Sequence, residues 1–258
     1  MMKKVFMSML EKDQAAVQTI MAEIKKYGLA VDGHFWTENV EKMEWMGPRP
    51  ELLNQDTALW LIVAGKDGLG SPATRFGLAL LSITVQAGRG LGFPTIILNN
   101  SGKPLDAADL PTPLKHAVIV SAALGPKLVA VANTPFTPAR ADYRLDVYGL
   151  PSGLGLWFEV GPAQGKWKGV MFGVSPGDIN AHGVAKKGEL PKGKMVLNYP
   201  MQGLKLNLGE KDFTAWAVKN ELDENSSYYV RALDMPDTVV FGPFSEGGDA
   251  EVYTLKMI

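Results

Sequence analysis

The feature that most constrains the fold is an unbroken apolar run at residues 58–64, Ala-Leu-Trp-Leu-Ile-Val-Ala. A strand with one face in water would alternate apolar and polar residues, and this run does not alternate. It is therefore typical of a strand that is covered on both faces, as in a parallel sheet with helices on each side. The run predicts a central strand of an α/β domain.

Strands and helices alternate along the rest of the first half. Asp13 is a helix N-cap before apolar residues at helical spacing, and Gly28 ends that helix. Ser71 followed by Pro72 predicts a second helix start. Such alternation predicts an open parallel sheet of about five strands with helices on both faces. The second predicted strand begins at residue 29, and the other predicted strands are residues 5–8, 58–64, 93–98 and 117–120.

The second half has a different pattern, which begins after a proline-rich segment at residues 134–141. Short runs of β-forming residues are separated by turn residues about every 8–12 positions, which predicts an antiparallel sandwich or barrel. Residues 213–220 and 227–233 are predicted to form a hairpin. The chain is thus interpreted as an α/β domain at 1–133 and an all-β domain at 142–258. The predicted β strands are residues 144–148, 156–160, 167–174, 194–199, 204–208, 213–219, 228–233, 239–241 and 252–257.

Composition excludes several classes of protein. A net charge of -1 argues against a nucleic-acid partner. The absence of cysteine excludes disulfides, thiolate catalysis and cysteine-rich zinc sites. His34, His116 and His182 are far apart in sequence, so we expect neither a metal nor another cofactor. No segment approaches the roughly 20 apolar residues of a membrane helix, and the apolar start is short for a signal peptide. We therefore expect a cytoplasmic protein that does not bind membranes.

Several segments resemble TIR domains in the same order along the chain. Residues 5–8, Val-Phe-Met-Ser, are similar to the family's opening strand, and Gly47-Pro48 falls where its second loop often carries Pro-Gly. Residues 71–80 resemble the family segment Ser-x-Trp-Cys-x-x-Glu-Leu, and residues 94–98 resemble its next strand. Residues 1–133 are therefore similar to a TIR domain, with a different flavodoxin-like domain as the alternative. The second half resembles no family that we identify.

One departure from the family pattern bears on function. The family's Trp, Cys and Glu positions are Ala73, Thr74 and Gly77 here. In TIR domains that cleave NAD, that glutamate is the residue that catalysis needs. A carboxylate there can hold ribose hydroxyls and stabilise the oxocarbenium charge that develops as nicotinamide leaves. The resemblance therefore implies that this half is not an NAD glycohydrolase of the usual kind, and we assign no catalytic residue.

A glycine-rich segment after the central strand is a candidate ligand site. It contains Gly65, Gly68, Gly70 and Ser71, and it lacks the lysine that a P-loop requires. Its backbone N–H groups lead into a helix N-terminus, which suits the phosphate of a nucleotide. The alternative is a flexible loop with no ligand.

The connection between residues 34 and 49 is acidic and aromatic. Trp36, Trp45 and Met46 are predicted to form an interaction surface for a protein partner or for self-association. Glutamates at positions 38, 41 and 44 would share one face of a helix, and we interpret them as a solvated face.

Two functional hypotheses follow from these observations. The first is a non-catalytic TIR-like module that binds a protein partner or senses a nucleotide, with the β-rich half as an appended binding domain. The alternative is a hydrolase acting on NAD or another nucleoside, with its acid supplied from another loop. The candidate acids for that alternative are Glu38, Glu41, Glu44 and Glu51.

Overall fold

The computed structural model describes residues 2–150, 155–192, 196–244 and 251–258. The chain divides into two compact units, Met1–Ala139 and Arg140–Ile258. The division falls inside the proline-rich segment of residues 134–141.

The first unit is an α/β domain built on one parallel sheet, as the sequence predicts. All neighbouring strands run parallel, in the order β2-β1-β3-β4-β5. The strands are β1 (Lys4–Met9), β2 (Ala30–Phe35), β3 (Thr57–Ala64), β4 (Thr95–Asn99) and β5 (Val118–Val120). The helices are α1 (Gln14–Lys26), α2 (Arg49–Leu53), α3 (Pro72–Arg89) and α4 (Leu124–Asn133), with short 3-10 turns at Glu44–Met46, Ala107–Asp109 and Thr112–Leu114.

Local capping fixes where the two longest helices begin. The Asp13 carboxylate accepts a hydrogen bond from the Ala16 amide at 3.0 Å, which starts α1. The Ser71 hydroxyl accepts one from the Thr74 amide at 3.2 Å, which starts α3. Each cap satisfies a backbone donor that the first helical turn leaves without a partner. Both predicted N-caps are confirmed.

The sheet is covered on both faces. Val5, Met7 and Met9 of β1 pack in one core cluster with residues of α1 and α4. Phe6 and Ser8 alternate with them and so lie on the opposite face, and both are also buried. The central strand β3 is buried along its whole length except for Ala58. Burial on both faces explains why its sequence shows no alternation.

The second unit is all-β and consists of two antiparallel sheets. Their strand orders are β10-β11-β8-β13-β14 and β6-β7-β12-β9. Phe158 of one sheet contacts Phe172 of the other, with ring centroids 5.0 Å apart. The strands are β6 (Tyr143–Leu150), β7 (Gly155–Pro162), β8 (Val170–Ser175), β9 (Ile179–Lys186), β10 (Met201–Leu208), β11 (Lys211–Val218), β12 (Ser226–Ala232), β13 (Thr238–Pro243) and β14 (Tyr253–Lys256).

Three details of the β-rich half differ from the prediction. The hairpin of residues 213–220 with 227–233 does not form, because β11 pairs with β10 and β8 while β12 pairs with β7 and β9. Leu222 lies between these strands and exchanges backbone hydrogen bonds with Trp167, so the connection crosses from one sheet to the other. Strand β9 was not predicted, since its Asn, Ala, His and Gly residues are weak β formers. The predicted strand 194–199 lies partly outside the described residues, and residues 196–199 are not a strand.

Candidate functional site

The topology of the parallel sheet singles out one edge for binding. In open α/β sheets, ligands bind beyond the carboxyl ends of the strands, where the winding direction reverses. In the order β2-β1-β3-β4-β5 that point lies between β1 and β3. The loops that meet there are residues 10–13 after β1, 36–43 after β2 and 65–71 after β3.

A carboxylate from the loop after β2 lies at the start of α3. Thr74 in the first turn of α3 is buried, and its hydroxyl donates a hydrogen bond of 2.5 Å to the Glu38 carboxylate. Glu38 itself is exposed to solvent. The positive end of the helix dipole favours a negative charge at this position. The Glu38 carboxylate is therefore fixed by the Thr74 hydroxyl and open to solvent, at the edge where open α/β sheets in general bind ligands.

One of the other glutamates considered from the sequence lies at the opposite edge of the sheet. Glu51 forms an ion pair of 2.6 Å with Lys4, the first residue of β1, and so lies at the amino edge of the sheet. Glu41 and Glu44 are exposed. The structure thus separates Glu38 from Glu51 by placing them at opposite ends of the strands.

A carboxylate from another loop contacts the glycine-rich segment, and sequence reasoning missed it. The Lys66 amide donates a hydrogen bond of 2.5 Å to the Glu11 carboxylate, from the loop after β1. Glu11 approaches Gly65 so closely that a Cβ placed on Gly65 would lie 2.1 Å from Glu11 Cδ. No sequence pattern within either loop indicates this contact, since the two residues are 55 positions apart.

The remaining predicted ligand residues of this segment have partners within the chain. The Gly68 amide donates to the Gly65 carbonyl at 3.0 Å, and the Gly70 amide donates to the Asp67 carbonyl at 3.2 Å. The Ser71 hydroxyl accepts from the Thr74 amide. Phosphate binding by this segment stays a prediction, and a bound phosphate would have to compete with these internal acceptors.

The predicted interaction surface is corrected by the structure. The side chains of Trp36 and Trp45 are only 6% and 1% exposed, and Met46 is half-buried. The Trp36 indole and the Trp45 Cβ pack against α3 at Gly77, where an added Cβ would lie 2.9 Å from Trp36 Cζ2 and 3.4 Å from Trp45 Cβ. Glycine at position 77 leaves a space on the helix, and the two tryptophans fill it. They belong to the core and not to an exposed surface.

A buried polar pair on the same face also escaped the sequence analysis. The Ser8 hydroxyl lies 2.9 Å from His34 Nε2 and accepts a hydrogen bond of 2.9 Å from Trp60 Nε1. Ser8 is fully buried, so its hydroxyl is not accessible to a substrate. The pair links the edge strand β2 to β1 and is structural. Its signal in the sequence is a serine inside an apolar strand, because a buried hydroxyl requires a partner.

His34 makes stability depend on pH. Burial lowers the pKa of His34 from 6.5 to about 4. The unfolded chain therefore binds a proton at higher pH than the folded chain, so acid favours unfolding. Stability from this group is complete above pH 6.5 and falls as the pH drops toward 4. We expect a loss of up to roughly 3 kcal/mol in the free energy of unfolding.

The measurement is urea unfolding at a series of pH values for the wild type and for His34→Gln. The variant lacks the titrating group, so its free energy of unfolding should fall less between pH 6.5 and 4. Equal pH dependence in the two proteins would contradict the assignment. The pKa values of His116 and His182 are also lowered by burial, and both residues are present in both proteins.

The three histidines do not form a metal centre. His116 Nε2 lies 2.9 Å from the Phe93 carbonyl, and His182 Nδ1 lies 2.8 Å from the Tyr228 hydroxyl. Within the described ranges, no three His, Cys, Asp or Glu residues are grouped so that they could hold a metal ion. Within the same ranges, no helix is both long enough and apolar enough to cross a membrane.

A pocket of about 400 Å³ lies at the opposite, amino edge of the parallel sheet. Phe93 and Phe136 form part of its wall. Its Arg89 guanidinium donates hydrogen bonds to the carbonyls of Leu52, Asn54 and Thr57. Arg89 is therefore used to hold the chain between α2 and β3, and its role is structural.

The carboxyl edge remains the candidate site. Two carboxylates, Glu11 and Glu38, come from loops that follow the neighbouring strands β1 and β2. Ionised carboxylates only accept hydrogen bonds, so this edge suits a ligand that donates them through hydroxyl or amino groups. Comparison of the chain with protein-family models, with curated proteins and with solved structures gives no match.

Proposed function

We propose that the first unit is a non-catalytic, TIR-like sensing module that binds the ribose hydroxyls of a nucleoside or nucleotide at its carboxyl edge. The observation that carries the proposal is the Glu38 carboxylate, which is exposed and is held by the Thr74 hydroxyl at 2.5 Å. A fixed carboxylate that accepts from two neighbouring hydroxyls is a suitable receptor for a ribose diol.

The packing of side chains around Gly77 supports binding of a ligand without its turnover. The TIR resemblance places the catalytic glutamate of NAD-cleaving relatives at Gly77. In this chain the Trp36 indole and the Trp45 Cβ pack at that position, so no side chain from residue 77 could reach a ligand. A module of this kind would report ligand binding to a protein partner or to a second copy of the chain.

A second candidate function is favoured by the same carboxylate. Glu38 contacts Thr74, which precedes Gly77 by one turn of α3. If Glu38 faced the ribose, it could stabilise the positive charge that grows as the bond from C1′ to the base breaks, while water attacks C1′. The protein would then be a nucleoside or NAD hydrolase that takes its acid from the loop after β2.

Binding of nicotinamide riboside and of NAD tests the proposal. We expect the wild type to bind at least one of these compounds in calorimetry, and we expect Glu38→Gln to bind it about 10- to 100-fold more weakly. The reason is that a hydrogen bond to a charged group contributes about 1.5–3 kcal/mol. Glu51→Gln is the matched control, because it makes the same chemical change at the opposite edge and should bind as the wild type does.

Nicotinamide release, followed by chromatography, decides between the two functions. Binding without release supports the sensing module. Release that disappears in Glu38→Gln and persists in Glu51→Gln supports the hydrolase. Absence of binding to both compounds would contradict both candidates.

The second unit is proposed to be an appended binding domain. Support comes from the outer face of its four-stranded sheet, where Tyr148, Trp157 and Arg231 stand in one row of the register. The Arg231 guanidinium lies over the Trp157 ring, 5.6 Å from its centroid, and both side chains are half-buried. Aromatic and arginine side chains are enriched at protein interfaces.

A further inference from the structure

We infer that Glu11 is a specificity-determining residue, which selects ribosides without phosphate over nucleotides at the carboxyl edge. This inference rests on the proposed function, since it refines the ligand class of that site. The observation that carries it is a carboxylate of the chain itself, Glu11, which contacts the segment where the sequence predicts a phosphate.

The Glu11 carboxylate contacts the backbone of residues 65 and 66, directly after the central strand β3. Its Oε1 accepts from the Lys66 amide at 2.5 Å. Its Cγ, Cδ and Oε1 atoms all lie within 2.3 Å of the place where a Cβ of residue 65 would stand. Only glycine at position 65 allows a carboxylate to approach the chain so closely.

The surroundings of this carboxylate would otherwise attract an anion. Lys12, which follows Glu11 in the chain, and Lys66 are both exposed, and the Lys66 amide donates to the Glu11 carboxylate. Backbone N–H groups and lysines at the end of a strand are the usual partners of phosphate oxygens. Glu11 instead takes up the Lys66 amide from within the chain, and its negative charge repels a phosphate that approaches this place. A ribose that carries no phosphate avoids this repulsion.

Two variants abolish the contact between the Glu11 carboxylate and the Lys66 amide in independent ways. Glu11→Gln removes the charge and keeps nearly the same shape. Gly65→Ala keeps the charge, but its Cβ would overlap the Glu11 carboxyl group and displace it from the Lys66 amide. The backbone at Gly65 is outside the left-handed region, so alanine can adopt its conformation. Glu51→Gln is the control, because it makes the same charge change at the opposite, amino edge of the sheet.

The test is a titration of each protein with inorganic phosphate, in which the Lys66 amide resonance is followed by NMR. We expect both Glu11→Gln and Gly65→Ala to bind phosphate at least tenfold more tightly than the wild type and Glu51→Gln. Equal phosphate affinity in the wild type and Glu11→Gln would overturn the inference. If Gly65→Ala fails to fold, the result for Glu11→Gln decides.

A second measurement separates this inference from the proposed function. In the wild type we expect nicotinamide riboside to bind more tightly than its 5′-phosphate, and in Glu11→Gln we expect that ratio to fall by at least tenfold. An unchanged ratio would count against Glu11 as a specificity determinant. Tighter phosphate binding by the variants without any riboside binding would overturn the proposed function and leave the role of Glu11 in excluding phosphate intact.

Discussion

Replacing Gly77 with glutamate is expected to destabilise the first unit strongly instead of restoring a catalytic acid. The position is buried in α3, and an added side chain would start 2.9 Å from Trp36 and 3.4 Å from Trp45. Leaving an uncompensated charge in such a site costs about 3–5 kcal/mol. The added atoms must in addition displace two large indoles from a closely packed core. A loss of this size is a large part of the roughly 5–15 kcal/mol that stabilises a typical domain.

Urea unfolding followed by circular dichroism measures the effect. Ala87→Glu is the matched control, because it places the same carboxylate on an exposed position of the same helix, and its stability should stay near that of the wild type. A Gly77→Glu protein as stable as Ala87→Glu would show that the indoles do not fill this space. The smaller change Gly77→Ala should also destabilise, although alanine favours a helix by roughly 0.5–1 kcal/mol over glycine.

The second large effect is expected at Glu159 in the second unit. This carboxylate is 4% exposed and accepts hydrogen bonds from Tyr148 Oη at 2.5 Å, Ser227 Oγ at 2.7 Å and the Gly188 amide at 3.0 Å. The Arg144 guanidinium lies 3.7 Å away. Glu159 thereby joins β6, β7 and β12 with the loop after β9. Glu159→Ala leaves the buried Ser227 hydroxyl and the partly buried Arg144 guanidinium without this carboxylate, and we expect a loss of about 3–5 kcal/mol.

The measurement is hydrogen exchange of the β7 and β12 amides as a function of urea, which reports the stability of the second unit by itself. Glu221→Ala is the control, since Glu221 belongs to an exposed ion pair with Lys166 at 2.6 Å. Exposed ion pairs are screened by water and contribute little, so this variant should show no measurable change. Similar exchange rates in the two variants would contradict the structural role of Glu159.

Much of the fold follows from local sequence features. The apolar run at residues 58–64 predicted a central parallel strand because side chains on both faces had to be buried. Asp13 and Ser71 marked helix starts because a cap acts on an amide only three residues away. The close spacing of turn residues indicated the β-rich second half. Helix α4 was not predicted, since its start lacks a side-chain cap.

The candidate site was only partly predictable. The TIR resemblance directed attention to the start of α3, and Glu38 was one of four candidate acids. Sequence could not choose among those acids, because the Glu38 contact with Thr74 joins residues 36 positions apart. It assigned Trp36 and Trp45 to a surface because their loop is acidic, whereas the space beside Gly77 places them in the core.

The sequence by itself determined the class of each half, through the period of its apolar residues, its helix caps and its turns. These signals act over a few residues, so they are present in the chain before it folds. Only the tertiary structure decided which sheet receives β11 and β12, and which carboxylates stand at the carboxyl edge. The contact of Glu11 with Lys66 depends on the order in which β1 and β3 lie in the sheet. Strand order is fixed by the burial of the whole core, and no short segment encodes it.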